Sequence, residues 1–265
     1  MKPPSLVLLE AYACLTLLSC APMRSPVSPG TIPDPQPLTA QERALGEQAF
    51  RKITSQYPVL RDREAKAEVA RVVERLGRAA GSGSWRTVLL NAPNIANAGA
   101  TRGNYIFVWS GMLQAVRSEE ELATVMAHEM GHILAQHTIA TPDEQLNEVL
   151  SGLSGEAARR ALLRQGSIGS VASIAQVLAQ QAFRAGFINP ESQRKELEAD
   201  IIGLHLMAEA GYDPRSALEF WRRGTLAGGE GPLEFLSSHP SSQTRIENLR
   251  EQMPMALERH DRRYY

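Results

Sequence analysis

Residues 118–138 read SEEELATVMAHEMGHILAQHT, an apolar helical pattern with ionisable side chains set into its middle. Ser118 followed three residues later by Glu121 is a capping box that opens a helix. Leu122, Val125, Met126, Ile133 and Leu134 make that helix mostly apolar, so it belongs in a core. His128, Glu129 and His132 fall inside it. Two histidines four residues apart lie about 40° from each other around a helix, so both imidazoles can reach one ion. Glu129 stands beside them, placed to touch a water at that ion rather than the ion itself. Two imidazoles and a carboxylate buried in apolar surroundings are unfavourable without a partner. Zinc is the partner that fits: it lowers the pKa of a water, and the neighbouring Glu takes the proton as the oxygen attacks a carbonyl. That chemistry is what gives the His-Glu-x-x-His pattern its meaning.

A catalytic zinc takes three protein ligands and leaves a position for water. His137 is a poor third ligand, because a helix would carry it about 140° round from His132. Glu196 and Asp200, in Glu196-Leu197-Glu198-Ala199-Asp200, are four residues apart and share a helix face. One can hold the ion while the other accepts a hydrogen bond from a ligand histidine. Glu198 lies about 200° round from Glu196 and is expected at the surface. His239 precedes Pro240 in a loop-like segment, PLEFLSSHPSS. From there it could reach the ion as a donor to the transition state or as an inhibitory fourth ligand. His205, further along the Glu196 helix, is expected to be structural.

The rest of the chain reads as helices around a small sheet. Thr39 and Glu42 form a capping box at the start of one helix, and a second spans about 61–79. Further helices are expected over 191–210, after Asp213-Pro214, and over 241–253. Residues 142–189 look helical and rich in Ala, Leu and Gln, and Gln176, Gln180, Gln181 and Arg184 exclude a membrane span there. Two β-like runs, WRTVLL at 85–90 and YIFVW at 105–109, are separated by Asn, Pro and Gly. The fold class expected is therefore α+β and mostly α-helical.

The 265 residues are 43% hydrophobic and 22% charged, the composition of a globular enzyme domain. A net charge of −1 creates no field that would favour nucleic acid. Both cysteines, Cys14 and Cys20, precede the folded body, which leaves it neither a disulfide framework nor a thiolate metal site. Any metal must be held by histidine and carboxylate. Residues 1–19 read as an export signal, with Lys2 ahead of a short apolar stretch. Leu17-Leu18-Ser19-Cys20 resembles a bacterial lipobox, which implies lipidation at Cys20; the alternative is a plain secretory signal with an incidental cysteine. Residues 20–38 are rich in Pro and Ser and are expected to be an extended tether. The expected location is the periplasmic side of the outer membrane through this N-terminal anchor, or else a soluble periplasmic or secreted form.

With these residues in view, the chain resembles the gluzincin metallopeptidases that include the HtpX membrane proteases, the CAAX prenyl proteases and the periplasmic BepA-type proteases. The resemblance covers roughly residues 44–249 and rests on four motifs in order. Asn97-Ala98 with the following YIFVWSGML resembles the family's substrate-side edge strand, which assigns Tyr105, Ile106, Phe107, Val108 and Trp109 to that strand. SEEELATVMAHEMGHILAQH resembles the active-site helix, ELEADIIGLHLMAEAGYDP the third-ligand helix, and HPSSQTRIENL the closing His-Pro…Arg segment. The resemblance implies a zincin-like domain over residues 39–265. It makes His128, His132 and Glu196 the ligands of one catalytic zinc, and Glu129 the base. It sets Asp200 behind a ligand histidine, and His239 and Arg245 beside the metal. Where the family often has an aromatic residue after Asn97-Ala98, this chain has Gly99-Ala100.

The function these residues imply is zinc-dependent endopeptidase activity in the bacterial cell envelope, on unfolded or misassembled proteins. The alternative is a latent zinc-bound chaperone or outer-membrane assembly factor with little turnover.

Overall fold

The computed structural model describes residues 27–81, 84–137, 190–226, 235–239 and 242–264. The export signal, Cys20 and the helical stretch expected over 142–189 lie outside those residues.

Helix α1 (Ala40–Gln56) opens on the capping box read from the sequence: the Thr39 hydroxyl accepts from the Glu42 N–H while Glu42 accepts from the Thr39 N–H. Helix α2 (Arg63–Ala79) is capped by Asp62 and buries Val69, Val72, Val73 and Leu76, one face at helical spacing. Three strands follow, β1 (Arg86–Leu90), β2 (Ala98–Thr101) and β3 (Tyr105–Trp109). After the short α3 (Gly111–Ala115) comes α4 (Glu119–Leu134), the histidine-bearing helix, capped by Ser118. Beyond it lie α5 (Pro190–Ala210), α6 (Arg215–Leu226), the four-residue α7 (Phe235–Ser238) and α8 (Gln243–Asp261). The domain is α+β, mostly helical and zincin-like, with α4 at its centre: every residue from Glu121 to Leu134 is buried.

The sheet corrects one expectation. Its order is β1-β3-β2, with β3 parallel to β1 and antiparallel to β2. Tyr105, Ile106, Phe107, Val108 and Trp109 therefore form the central strand, bonded on both sides, and cannot be the edge that receives a substrate. The outer strand on the α4 side is β2, Ala98-Gly99-Ala100-Thr101. Three small residues, Ala98, Gly99 and Ala100, and a single β-branched one, Thr101, give it little strand signal, whereas the aromatic and branched β3 has a strong one.

Helices α4 and α5 pack more extensively on each other than any other pair of described elements. The contact is backbone to backbone. A Cβ on Gly131 would lie 2.7 Å from the Ala199 carbonyl oxygen, and one on Gly203 would lie 3.1 Å from His128 N. Glycine at these two positions is what lets the axes come this close.

Three further differences from the sequence reading bear on the site. Helix α4 stops at Leu134, and Gln136, at φ 58°, turns the chain back so that His137 is off the helix. Helix α8 runs on through Pro254 to Asp261, eight residues past the end expected at Met253. Pro254 sits on the exposed face, where the carbonyl it leaves unbonded can face water, and buried Ala256 holds the continuation. Residues 27–38, expected as a tether, form no helix or strand, but Val27 and Ile32 pack on the core and the Gly30 carbonyl accepts from Arg259 at 2.7 Å. Among the described residues no helix is long and apolar enough to cross a membrane.

Gly131→Ala tests the close contact. Helix propensity alone would stabilise the variant by roughly 1 kcal/mol, but the clash is with backbone that cannot rotate away. Overpacking of that kind costs about 1–3 kcal/mol, so a lower urea midpoint is expected. A raised midpoint would show that the helices do not meet there.

Candidate metal centre

His128 and His132 project from the same face of α4 with their Nε2 atoms 3.1 Å apart. Glu196, on α5, brings Oε2 to 3.3 Å from His128 Nε2 and Oε1 to 3.3 Å from His132 Nε2. His239 follows α7, whose first residue is fixed by a bond from the Phe235 N–H to the Ala96 carbonyl. Its Nδ1 lies 3.2 Å from His128 Nε2 and 3.1 Å from both Glu196 oxygens. One donor atom from each of these four buried side chains lies within 4.8 Å of the others. Lone pairs converging this closely away from water repel one another unless a cation sits among them. Imidazole nitrogens with a carboxylate oxygen are the donors that zinc and its first-row neighbours take, so the residues fit a metal ion.

The sequence left Glu196 and Asp200 open as to which faces the ion, and the two differ plainly. Asp200 lies behind His128, with Oδ1 3.0 Å from His128 Nδ1. That contact places the His128 proton on Nδ1 and leaves Nε2 turned toward Glu196. Arg245 grips Asp200 with two bonds of 2.6 Å, a bidentate pairing, while its Nη1 reaches Glu196 at 3.1 Å and the His239 carbonyl at 3.2 Å. The guanidinium lies 3.7 Å from the centroid of the Trp221 ring, which also meets His128 edge-on. Trp221 and Phe235, which stacks near His239, wall the site with aromatic surface. The sequence gives no signal for either beyond their being large and apolar.

Burial disfavours the His128 imidazolium, but the hydrogen bonds and charges of Asp200 and Glu196 outweigh it and push its pKa up to about 9. Burial pushes His132 down to about 3 against the pull of Glu196. Burial would also raise the Glu196 carboxyl, yet His239, His132 and Arg245 hold it well below the usual carboxylate range. Glu129 goes the other way: burial raises it, only partly offset by His239 and His128. Its Oε1 is buried with no hydrogen-bond partner among the described residues, and His239 Nε2 stands 3.2 Å away without hydrogen-bond alignment.

The Glu129 carboxylate accepts from the main-chain N–H of Ala100 on β2. The Trp109 N–H donates to the Asn97 carbonyl at 3.0 Å, so Asn97, Gly99 and Thr101 turn their main-chain groups toward β3. Ala98 and Ala100 turn theirs away from it. Glu198, expected at the surface, is instead half-buried and bonded to His137. His205 is fully buried, held neutral by desolvation at a pKa of about 4, and takes no part in the cluster.

Removing Arg245 would leave Asp200 and Glu196 buried without their cation. Breaking such a pair costs about 3–5 kcal/mol, so Arg245→Ala is expected to unfold at a far lower guanidinium concentration than the parent. The sign with pH follows from Asp200. Burial raises its carboxyl, but Arg245 and His128 hold it below its unfolded value, so its contribution is present above about pH 4 and lost as pH falls through the depressed value. The gap between variant and parent should narrow on acidification, and a gap that widens would contradict the pairing.

Residues 60–253 match the model of Peptidase family M48. The chain is 29% identical over 225 residues to the mitochondrial metalloendopeptidase OMA1 of Schizosaccharomyces pombe, a match covering 81% of this chain and 62% of that protein. It is 31% identical over 186 residues to the Saccharomyces cerevisiae protein of the same name, covering 66% and 48% of the two chains. Against the beta-barrel assembly-enhancing protease of Escherichia coli O157:H7 it is 27% identical over 215 residues, covering 79% and 43%. The matches thus span roughly half the length of these relatives. The metal-fitting cluster lies within the matched stretch, and this chain belongs to Peptidase family M48.

Proposed function

We propose that this chain is a zinc-dependent endopeptidase acting on unfolded or misassembled proteins of the bacterial cell envelope, with His128, His132 and Glu196 holding the ion and Glu129 as general base. The observation that carries this reading is the unpartnered, buried Oε1 of Glu129 beside three converging donor side chains. Zinc, when bound, supplies Lewis acidity toward a carbonyl and a water. Glu129, its carboxyl raised by burial, takes the proton of the attacking water and returns it to the leaving amine. Asp200 keeps the His128 proton on Nδ1, and Arg245 keeps Asp200 and Glu196 in place.

The substrate strand would lie along β2 rather than β3, donating to the main-chain carbonyls of Ala98 and Ala100 that face away from the sheet, since their N–H groups are taken by Asn97 Oδ1 and Glu129. Asn97 is fully buried beside that edge; its Oδ1 accepts from the Ala98 N–H at 2.9 Å, and its Nδ2 has no partner among the described residues. Recognition through main-chain groups favours extended chains over any one sequence. A lipid anchor at Cys20 is supported by the N-terminal reading, and the envelope setting by that reading together with relatives named for beta-barrel assembly.

One observation favours the second reading, a latent site with little turnover. His239 Nδ1 is as close to the donor atoms of His128 and Glu196 as those are to each other, which is where a fourth ligand would sit. A fourth protein ligand would take the position that water needs.

Cleavage of an unfolded protein such as casein by the zinc-loaded chain should be abolished by a chelator and restored by zinc. Glu129→Gln should retain zinc and lose cleavage; retained cleavage would remove Glu129 as the base. If His239 caps the ion, His239→Ala raises the cleavage rate, and if it steadies the developing oxyanion the rate falls by about 10²–10³. An unchanged rate would show that it does neither.

A further inference from the structure

His137 and Glu198 have no part in the chemistry above, yet they meet at the metal site. The turn at Gln136 brings the His137 N–H to the His132 carbonyl at 2.9 Å and the His137 Nδ1 to 3.0 Å from His132 Nδ1. His137 Nε2 lies 2.9 Å from Glu198 Oε2, and Glu198 Oε1 accepts the main-chain N–H of Val27 at 2.6 Å. The His137 and Glu198 side chains are only 8% and 11% exposed.

One arrangement of protons satisfies every atom in this chain of contacts. With His132 Nε2 turned toward the ion, its proton sits on Nδ1 and is donated to His137 Nδ1. His137 then carries its own proton on Nε2 and donates it to the Glu198 carboxylate. The two histidines of α4 are thereby served by two separate carboxylates of α5: Asp200 directly for His128, and Glu198 through an intervening imidazole for His132. The far end of the relay is also fixed, because the Gly30 carbonyl is held by Arg259 of α8 and Val27 packs on the core.

We propose that His137 and Glu198 are positioning residues for His132, and that the main-chain N–H of Val27 anchors their relay, so that the N-terminal segment forms part of the support of the metal site. This rests on His132 being a metal ligand. An oriented imidazole binds its ion more tightly, and removing such outer partners lowers metal affinity by about 10–100-fold.

The test is the zinc dissociation constant of the purified chain, measured by competition with a chromophoric chelator, with circular dichroism of each metal-free variant to show that it is folded. His137→Ala and Glu198→Ala should each weaken zinc by ~10-fold or more, and the double variant by no more than the worse single one, since both break the same relay. His137→Gln should recover most of the affinity, because its amide can accept from His132 and donate to Glu198. Val27→Pro removes the main-chain donor and should weaken zinc in the same direction, more than Val27→Ala, which keeps the donor and loses only the side-chain packing. Wild-type affinity in His137→Ala, or losses that add in the double variant, would overturn the relay. An unchanged constant in Val27→Pro would overturn its N-terminal anchor. A parent chain that binds no zinc would instead overturn the metal-site reading, and the relay with it.

Discussion

The backbones of α4 and α5 touch, and that contact fixes where every metal-facing atom lies. The two helices carry the same local pattern: a polar side chain, two residues, then a small residue followed at once by a second polar side chain. On α4 it is His128, Gly131 and His132; on α5 it is Glu196, Ala199 and Asp200. Gly131 packs against the backbone of Ala199, and Gly203 against that of Ala127 and His128. With the small residues seated together, the flanking pairs interleave, so Glu196 faces both imidazoles from the front while Asp200 reaches the back of His128. A side chain between the helices would separate these atoms by more than hydrogen-bond reach.

The same packing creates an electrostatic problem that shapes the rest of the site. Glu129, Glu196 and Asp200 are all buried within one cluster. Arg245 answers two of them and stacks on Trp221, and Asp200 and Glu196 in turn favour the protonated form of His128. Glu129 is left with little compensation, so burial raises it toward its neutral form. A divalent ion among the donors supplies positive charge where the protein has least of it. This is the physical link between an apolar helix, a costly set of buried groups and membership of a metallopeptidase family.

Much of the site was legible in the sequence because helical geometry is regular. The four-residue spacing of His128 and His132, and of Glu196 and Asp200, determines which side chains share a face once the elements are helices. What the spacing did not contain was anything made by a departure from regularity. The turn at Gln136, a non-glycine residue in the left-handed region, carries His137 back to His132 when helix geometry places it 140° away. Strand β2 is hard to read because Ala-Gly-Ala-Thr has one β-branched residue and no aromatic, so the conspicuous β3 draws the role that belongs to its neighbour. The angle of Glu198 on α5 points to the surface, but His137 and the main chain at Val27 reach it from outside that helix. Pattern reading locates faces; it does not show which other segment covers them.

The central claim is that one ion is shared by two imidazoles of α4 and one carboxylate of α5. The most direct measurement is anomalous scattering at the zinc edge from crystals of the zinc-loaded chain. The account predicts a single strong peak within bonding distance of His128 Nε2, His132 Nε2 and a Glu196 oxygen. A peak elsewhere, or one from which Glu196 stands apart, would contradict it.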